Sequence, residues 1–209
     1  MKKLFCLTTL LVISVGAGTA ATINVDLSGA VGGSTVTGVN ASFAQTFNGQ
    51  TVSGGTGISG SPTNPLSLLA AGSIDVALFN PIVSAQSNSL LSQPGNAAPL
   101  SMLLTSDADS LTWTMGFGNG GAVTAAFFSA TGSLVGTQTY SGLNDYAIFN
   151  ASGLGTFRGV TFYNDTDDSG LRFQNFSYNS VAGSSVPEPS TITSLLIGLA
   201  AFALRRLRS

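Results

Sequence analysis

Large apolar residues alternate with small or polar ones from Leu111 to Phe117, which sets Leu111, Trp113, Met115 and Phe117 on one face of an extended chain. A period of two predicts a strand that lines a core. Residues 122–129, 134–140, 145–149, 157–163 and 171–178 are further candidate strands, with Gly, Asn or Asp between them. Six strands at spacings of roughly 8 to 14 residues predict an all-β antiparallel β-sandwich or jelly roll. Ahead of them, residues 22–27, 34–39, 41–47 and 74–79 are expected as further strands, and 65–71 as one short helix. Residues 80–99, with Pro81, Pro94 and Pro99 among Ser, Gln and Asn, are expected as a surface loop that crosses between sheets.

Both ends break this pattern. Met1-Lys2-Lys3, an apolar run over 4–15 and small residues to Ala21 have the three-part layout of a secretory signal peptide, cleaved by signal peptidase after Ala20 or Ala21. At the other end Val186-Pro187-Glu188-Pro189-Ser190 precedes an apolar stretch over 191–204 and a cluster of Arg205, Arg206 and Arg208. Pro187 and Pro189 have fixed φ and no backbone donor, so this segment stays extended outside helix or sheet. A helix over 191–204 rises about 21 Å, short of the roughly 30 Å hydrocarbon layer. It would hold the chain loosely in the inner membrane, with the arginines on the cytoplasmic side. The expected organisation is signal peptide 1–21, β-sandwich domain 22–185 and C-terminal signal 186–209.

This order of VPEPS, short apolar helix and arginine cluster resembles the PEP-CTERM sorting signal of Gram-negative bacteria. The resemblance implies an exosortase as partner, cleavage near Pro187-Glu188-Pro189, and delivery to the cell surface or extracellular matrix in species that make exopolysaccharide and biofilm. Residues 170–178 likewise resemble the final strand of jelly-roll domains in other PEP-CTERM proteins. Gln174 stands where the aromatic-Asp-Asn-aromatic pattern of those domains carries Asp.

Charge narrows the chemistry. Between the two ends, eight aspartates face only Arg158 and Arg172, without a single Lys, so no basic stripe exists to neutralise a phosphate backbone, and nucleic acid is excluded as a partner. The chain has no His, and its one Cys, Cys6, lies in the N-terminal apolar run. Imidazole and thiolate catalysis and the usual zinc sites therefore fall away, and no catalytic residue is assigned. A pair such as Asp107 with Asp109 reads as a polar turn.

Three local patterns remain. Asp165-Thr166-Asp167-Asp168-Ser169-Gly170 matches the first half of a calcium loop, with Asp165, Asp167 and Ser169 as Ca2+ ligands; a solvated acidic turn is the competing reading, because Phe176 occupies the position of the bidentate Glu. Gly116-Phe117-Gly118-Asn119-Gly120-Gly121 satisfies a dinucleotide fingerprint but precedes a strand rather than a helix, and is expected as a hairpin turn. Tyr140, Tyr146, Tyr163 and Tyr178 are candidate sugar-stacking platforms or core residues, whereas the apolar neighbours of Trp113 place it in the core. The expected function is a non-enzymatic structural or adhesive component of the envelope or biofilm matrix. A carbohydrate-binding jelly-roll module for exopolysaccharide, with or without calcium, is the alternative.

Overall fold

In a computed structural model, the described residues are 20–79, 87–93, 98–116, 121–141, 143, 145–164 and 171–181. They all fall in the compact unit Ala20–Val181. They form strands and turns with no helix: β1 (Thr22–Asn24), β2 (Thr35–Thr37), β3 (Ala41–Ala44), β4 (Thr46–Phe47), β5 (Gln50–Ser53), β6 (Gly57–Gly60), β7 (Leu68–Leu69), β8 (Ser73–Phe79), β9 (Ser87–Gln93), β10 (Leu100–Gly116), β11 (Ala122–Phe128), β12 (Leu134–Ser141), β13 (Ala147–Asn164) and β14 (Arg172–Ser180). Every pairing among them is antiparallel.

Two long strands organise the fold. β10 and β13 pair from Leu100↔Phe162 to Met115↔Ala147, with register shifts between Leu103 and Ala108 and between Ala108 and Ser110. Such irregularities bend a strand and sharpen its twist. On one side of the bend the pair carries β3 and β2 beyond β10, and β11 and β12 beyond β13. On the other side β10 passes to β14, which pairs with β1 and β9, and β9 with β8. One hydrogen-bonded sheet thus folds over into the two layers of a sandwich.

The core lies between these layers. Met102 and Leu104 enter it from the first half of β10, and Leu111, Trp113 and Met115 from the second, as alternation requires. Trp113 touches the first layer directly, its ring centroid 5.0 Å from Phe162 of β13 and 5.1 Å from Tyr140 of β12. Phe176 of β14 meets Phe43 of β3 at 5.3 Å. A smaller cluster of Phe47, Leu66, Ala126 and Phe128, flanked by Leu68, Leu103 and Tyr163, covers the outer face of the first layer. β11 is consequently buried on both faces, which is why its sequence reads as a nearly continuous apolar run.

Several expectations need correction. Residues 65–71 hold no helix: β7 pairs with β4 at Thr46↔Leu69 and Phe47↔Leu68, because Leu66 and Leu68 are drawn into the outer cluster. The expected loop over 80–99 contains β9, which pairs with β8 from Ser73↔Gln93 to Phe79↔Ser87. Its polar composition is compatible with burial because Ser89 Oγ donates to the Ala77 carbonyl at 3.1 Å and Ser92 Oγ to the Pro99 carbonyl at 2.6 Å. The separate strands expected at 145–149 and 157–163 are parts of β13, joined through the bend at Gly153 and Gly155. Asp107 and Asp109 sit inside β10 rather than in a turn. Finally, β13 lies between β10 and β11 in the sheet, and residues 117–120, expected within a hairpin turn, are outside the described set.

Candidate functional site

The four tyrosines do not gather on one exposed face. Tyr178 is 1% exposed, and its hydroxyl lies among Thr105 Oγ1, Ser106 Oγ and the Asn40 carbonyl at 3.1 to 3.3 Å. It is a core residue and cannot be a stacking platform. Tyr146 is also buried, at 9%. Tyr140 is half-buried, its ring edge-on to Trp113 and to Phe149 at 5.2 Å, and its hydroxyl donates to Gln138 Oε1 at 2.6 Å. Tyr163 is half-buried against the outer cluster. Burial pushes the phenols of Tyr140 and Tyr146 up to about 12, with Arg172 pulling Tyr146 slightly the other way.

With the rings turned inward, the outer face of the second layer presents amides and hydroxyls. Asn150 Nδ2 donates to Thr112 Oγ1 at 2.9 Å across β13 and β10. Thr22 Oγ1 donates to Asn179 Oδ1 at 2.7 Å across β1 and β14. At the bend this face runs into an open depression of about 500 Å³ lined by Asp109, Ser110, Ser152, Gly153, Gly155 and Asn179. One carboxylate, one amide, two hydroxyls and a glycine floor can accept and donate hydrogen bonds to a polyhydroxylated ligand. Asp107 belongs to a different arrangement: it pairs with Arg158 at 3.2 Å.

A second depression, of about 270 Å³, lies over Asp26, Ser28 and residues 37–39. Ser28 donates to Asp26 from both its backbone N–H, at 2.8 Å, and its hydroxyl, at 3.1 Å. These two bonds, backbone first, lower the carboxyl below its ordinary range. The bonds close an Asx-type turn and leave the group engaged.

Sequence reasoning missed the depression at the bend. Asp109, Ser152 and Asn179 come from three strands, and nothing in their spacing marks them as neighbours. The candidate Ca2+ ligands Asp165, Asp167 and Ser169 lie outside the described residues, as do residues 1–19 of the expected signal peptide, Val186, Pro187, Glu188, Pro189, Ser190 and the arginines Arg205, Arg206 and Arg208. No group of three or more metal-ligating side chains exists among the described residues. None of these residues forms a helix long and apolar enough to cross a membrane, and the expected span over 191–204 lies outside them.

Among solved structures, the fold is similar to a mutant of the family 29 carbohydrate-binding module CBM29-2 complexed with mannohexaose: TM-score 0.41, 12% identity, 82% of this chain and 100% of that one. It is also similar to the family 11 carbohydrate-binding module from Clostridium thermocellum, in complex with a β-1,3-1,4-mixed-linked tetrasaccharide, with TM-score 0.38, 9% identity, 78% of this chain and 98% of that one. These likenesses are too distant to transfer a ligand. No curated protein matches the sequence. The PEP-CTERM protein-sorting motif does match, over residues 185–208. The chain therefore carries at its C-terminal end the PEP-CTERM signal by which a protein is exported, held in transit at the membrane and passed to an exosortase for processing.

Proposed function

We propose that the sandwich is a non-enzymatic structural or adhesive component of the cell envelope or extracellular matrix, delivered by that signal. Signal peptidase removes residues 1–21, the helix over 191–204 retains the chain in the inner membrane, and the exosortase cleaves near Pro187-Glu188-Pro189 to release or attach the domain. The observation that carries the reading is the inward commitment of the large rings. Trp113 and Tyr178 are at 0% and 1% exposure, and hydroxyls and amides such as Thr112 and Asn150 remain outside. Such a surface suits contact with hydrated matrix better than chemistry on a substrate. The test is deletion of the chain in its own cells, followed by complementation with the intact protein or one truncated before Val186. Loss of matrix cohesion restored only by the intact protein is expected; a matrix indifferent to deletion overturns the reading.

The depression beside Asp109 favours a second reading, in which the domain holds exopolysaccharide there. A glycan-binding screen with and without calcium, comparing the natural protein with Asp109→Ala and Asn179→Ala, tests it. Binding lost in both variants supports this reading, and a screen without a bound glycan removes it.

A further inference from the structure

The two ends of the strand order from β12 to β8 are treated differently. At one end, β8 is partly covered by the chain before β2: Gly33 and Ile74 exchange hydrogen bonds of 2.9 and 2.8 Å. At the other, β12 pairs among the described residues with β11 alone. An open edge presents a row of backbone donors and acceptors to any extended chain, and proteins ordinarily guard it with charge, proline or a covering segment. Among the described residues β12 has none of these guards. From Ala122 to Ser141 there is no charged residue and no proline, and Leu134 is 60% exposed at the start of the strand. Thr137, Thr139 and Ser141 are exposed along it.

We propose that β12 is a strand-addition interface for a second copy of this chain, which joins two sheets antiparallel about a two-fold axis. Charge selects the partner. The region between the ends carries eight aspartates against two arginines, so two copies repel one another unless they meet at a neutral surface. The uncharged β11–β12 hairpin supplies one. Composition suits self-pairing as well. With the axis at Gln138, Thr137 of each copy stands opposite Thr139 of the other, and Tyr140 opposite Gly136. Thr pairs and aromatics are stabilising cross-strand neighbours. A Cβ at Gly136 would lie 3.1 Å from Leu154 Cδ2, so a guarding side chain there would require Leu154 to shift. Such an isologous contact closes at two copies rather than running on into a fibre. The inference goes beyond the structural role and does not depend on it.

The test is sedimentation equilibrium of the processed protein recovered from the cell surface, over a concentration series, with Thr137→Lys, Ser141→Lys and the control Ile148→Lys. Ile148 is 63% exposed on the stretch of β13 that pairs, among the described residues, with β10 alone, so its variant separates β12 from that second one-sided stretch of the sheet. A monomer–dimer equilibrium in the natural protein is expected, lost in both β12 variants and kept in Ile148→Lys, with β12 amides protected from exchange only as concentration rises. Near-ultraviolet circular dichroism confirms that each variant is folded, and two independent edge variants guard against one that is not. A natural protein monomeric at every concentration overturns the interface. So does dimerisation that survives both edge variants, or that disappears with Ile148→Lys. None of these outcomes bears on the deletion phenotype, so the two proposals fail separately.

Discussion

Arg158 of β13 reaches across the bend of β10 to Asp107, its Nη1 donating to Oδ1 at 3.2 Å while its Nε donates to the Leu104 carbonyl at 2.7 Å. The two bonds differ in weight. The ion pair is partly exposed, 33% on the arginine side chain and 46% on the aspartate, and water and salt screen it. The carbonyl bond satisfies a backbone acceptor where register shifts interrupt the ladder. Asp107→Asn should therefore cost no more than about 1 kcal/mol, the ordinary range for exposed pairs. Arg158→Ala should cost about 1 to 3 kcal/mol because it also strands that acceptor. Urea melts at low and high salt check both: salt should erase most of the Asp107 effect but only the ion-pair share of the Arg158 effect.

Trp113→Ala should destabilise by about 3 to 5 kcal/mol, the range for deletion of a large buried aromatic. The ring is fully buried against Tyr140, Phe149 and Phe162. Trp113→Phe should cost much less. Nε1 has no hydrogen-bond partner among the described residues, so Phe removes an unsatisfied donor together with the lost contacts. Denaturant unfolding of the two variants side by side decides this, and equal losses would show that the donor is satisfied in solution.

Gly159→Ala should disturb the outer cluster directly. An added Cβ would lie 2.6 Å from Phe47 Cζ and 2.8 Å from Leu66 Cδ2. The outer cluster has to shift to admit it, and overpacking of this kind costs typically about 1 to 3 kcal/mol. Amide exchange should rise first in β4 and β7, the segment that covers the first layer, before the two-layer core responds.

Alkaline titration should separate the tyrosines. Tyr140 and Tyr146 are pushed up to about 12 by burial, from an ordinary value near 10. A phenol held protonated in the folded state contributes stability that is complete below the unfolded value and is lost as pH rises through the folded one. Phenolate absorbance from these two groups should therefore lag an exposed tyrosine, and melting temperature should fall between about pH 10 and 12. Phe at either position should narrow that fall.

If Asp165, Asp167 and Ser169 hold calcium, the melting temperature should rise with millimolar calcium and fall with chelator, because a ligand that binds only the folded state stabilises it. Asp165→Asn combined with Asp167→Asn should abolish the response while leaving the metal-free protein no less stable, since repulsion among neighbouring carboxylates is relieved. Identical melts with calcium and chelator would return the segment to an acidic turn.

What the sequence determined by itself is whatever local order encodes. The sorting motif is contiguous and read by its own linear pattern, and the alternation of Leu111, Trp113 and Met115 names its buried face without reference to any partner. β12 and the first residues of β11 are equally legible, because period-two patterning and a short turn are local. Tertiary structure decided the rest. Leu68 and Leu69 became a strand because Thr46 and Phe47 offered an edge, and β9 formed from Ser, Asn and Gln because β8 and buried carbonyls received them. The depression beside Asp109 and the burial of Tyr178 both depend on where β10 bends, and that bend is set by register between strands some fifty residues apart. Backbone pairing over such separations depends on which edges and faces meet, and no short window of sequence contains that information.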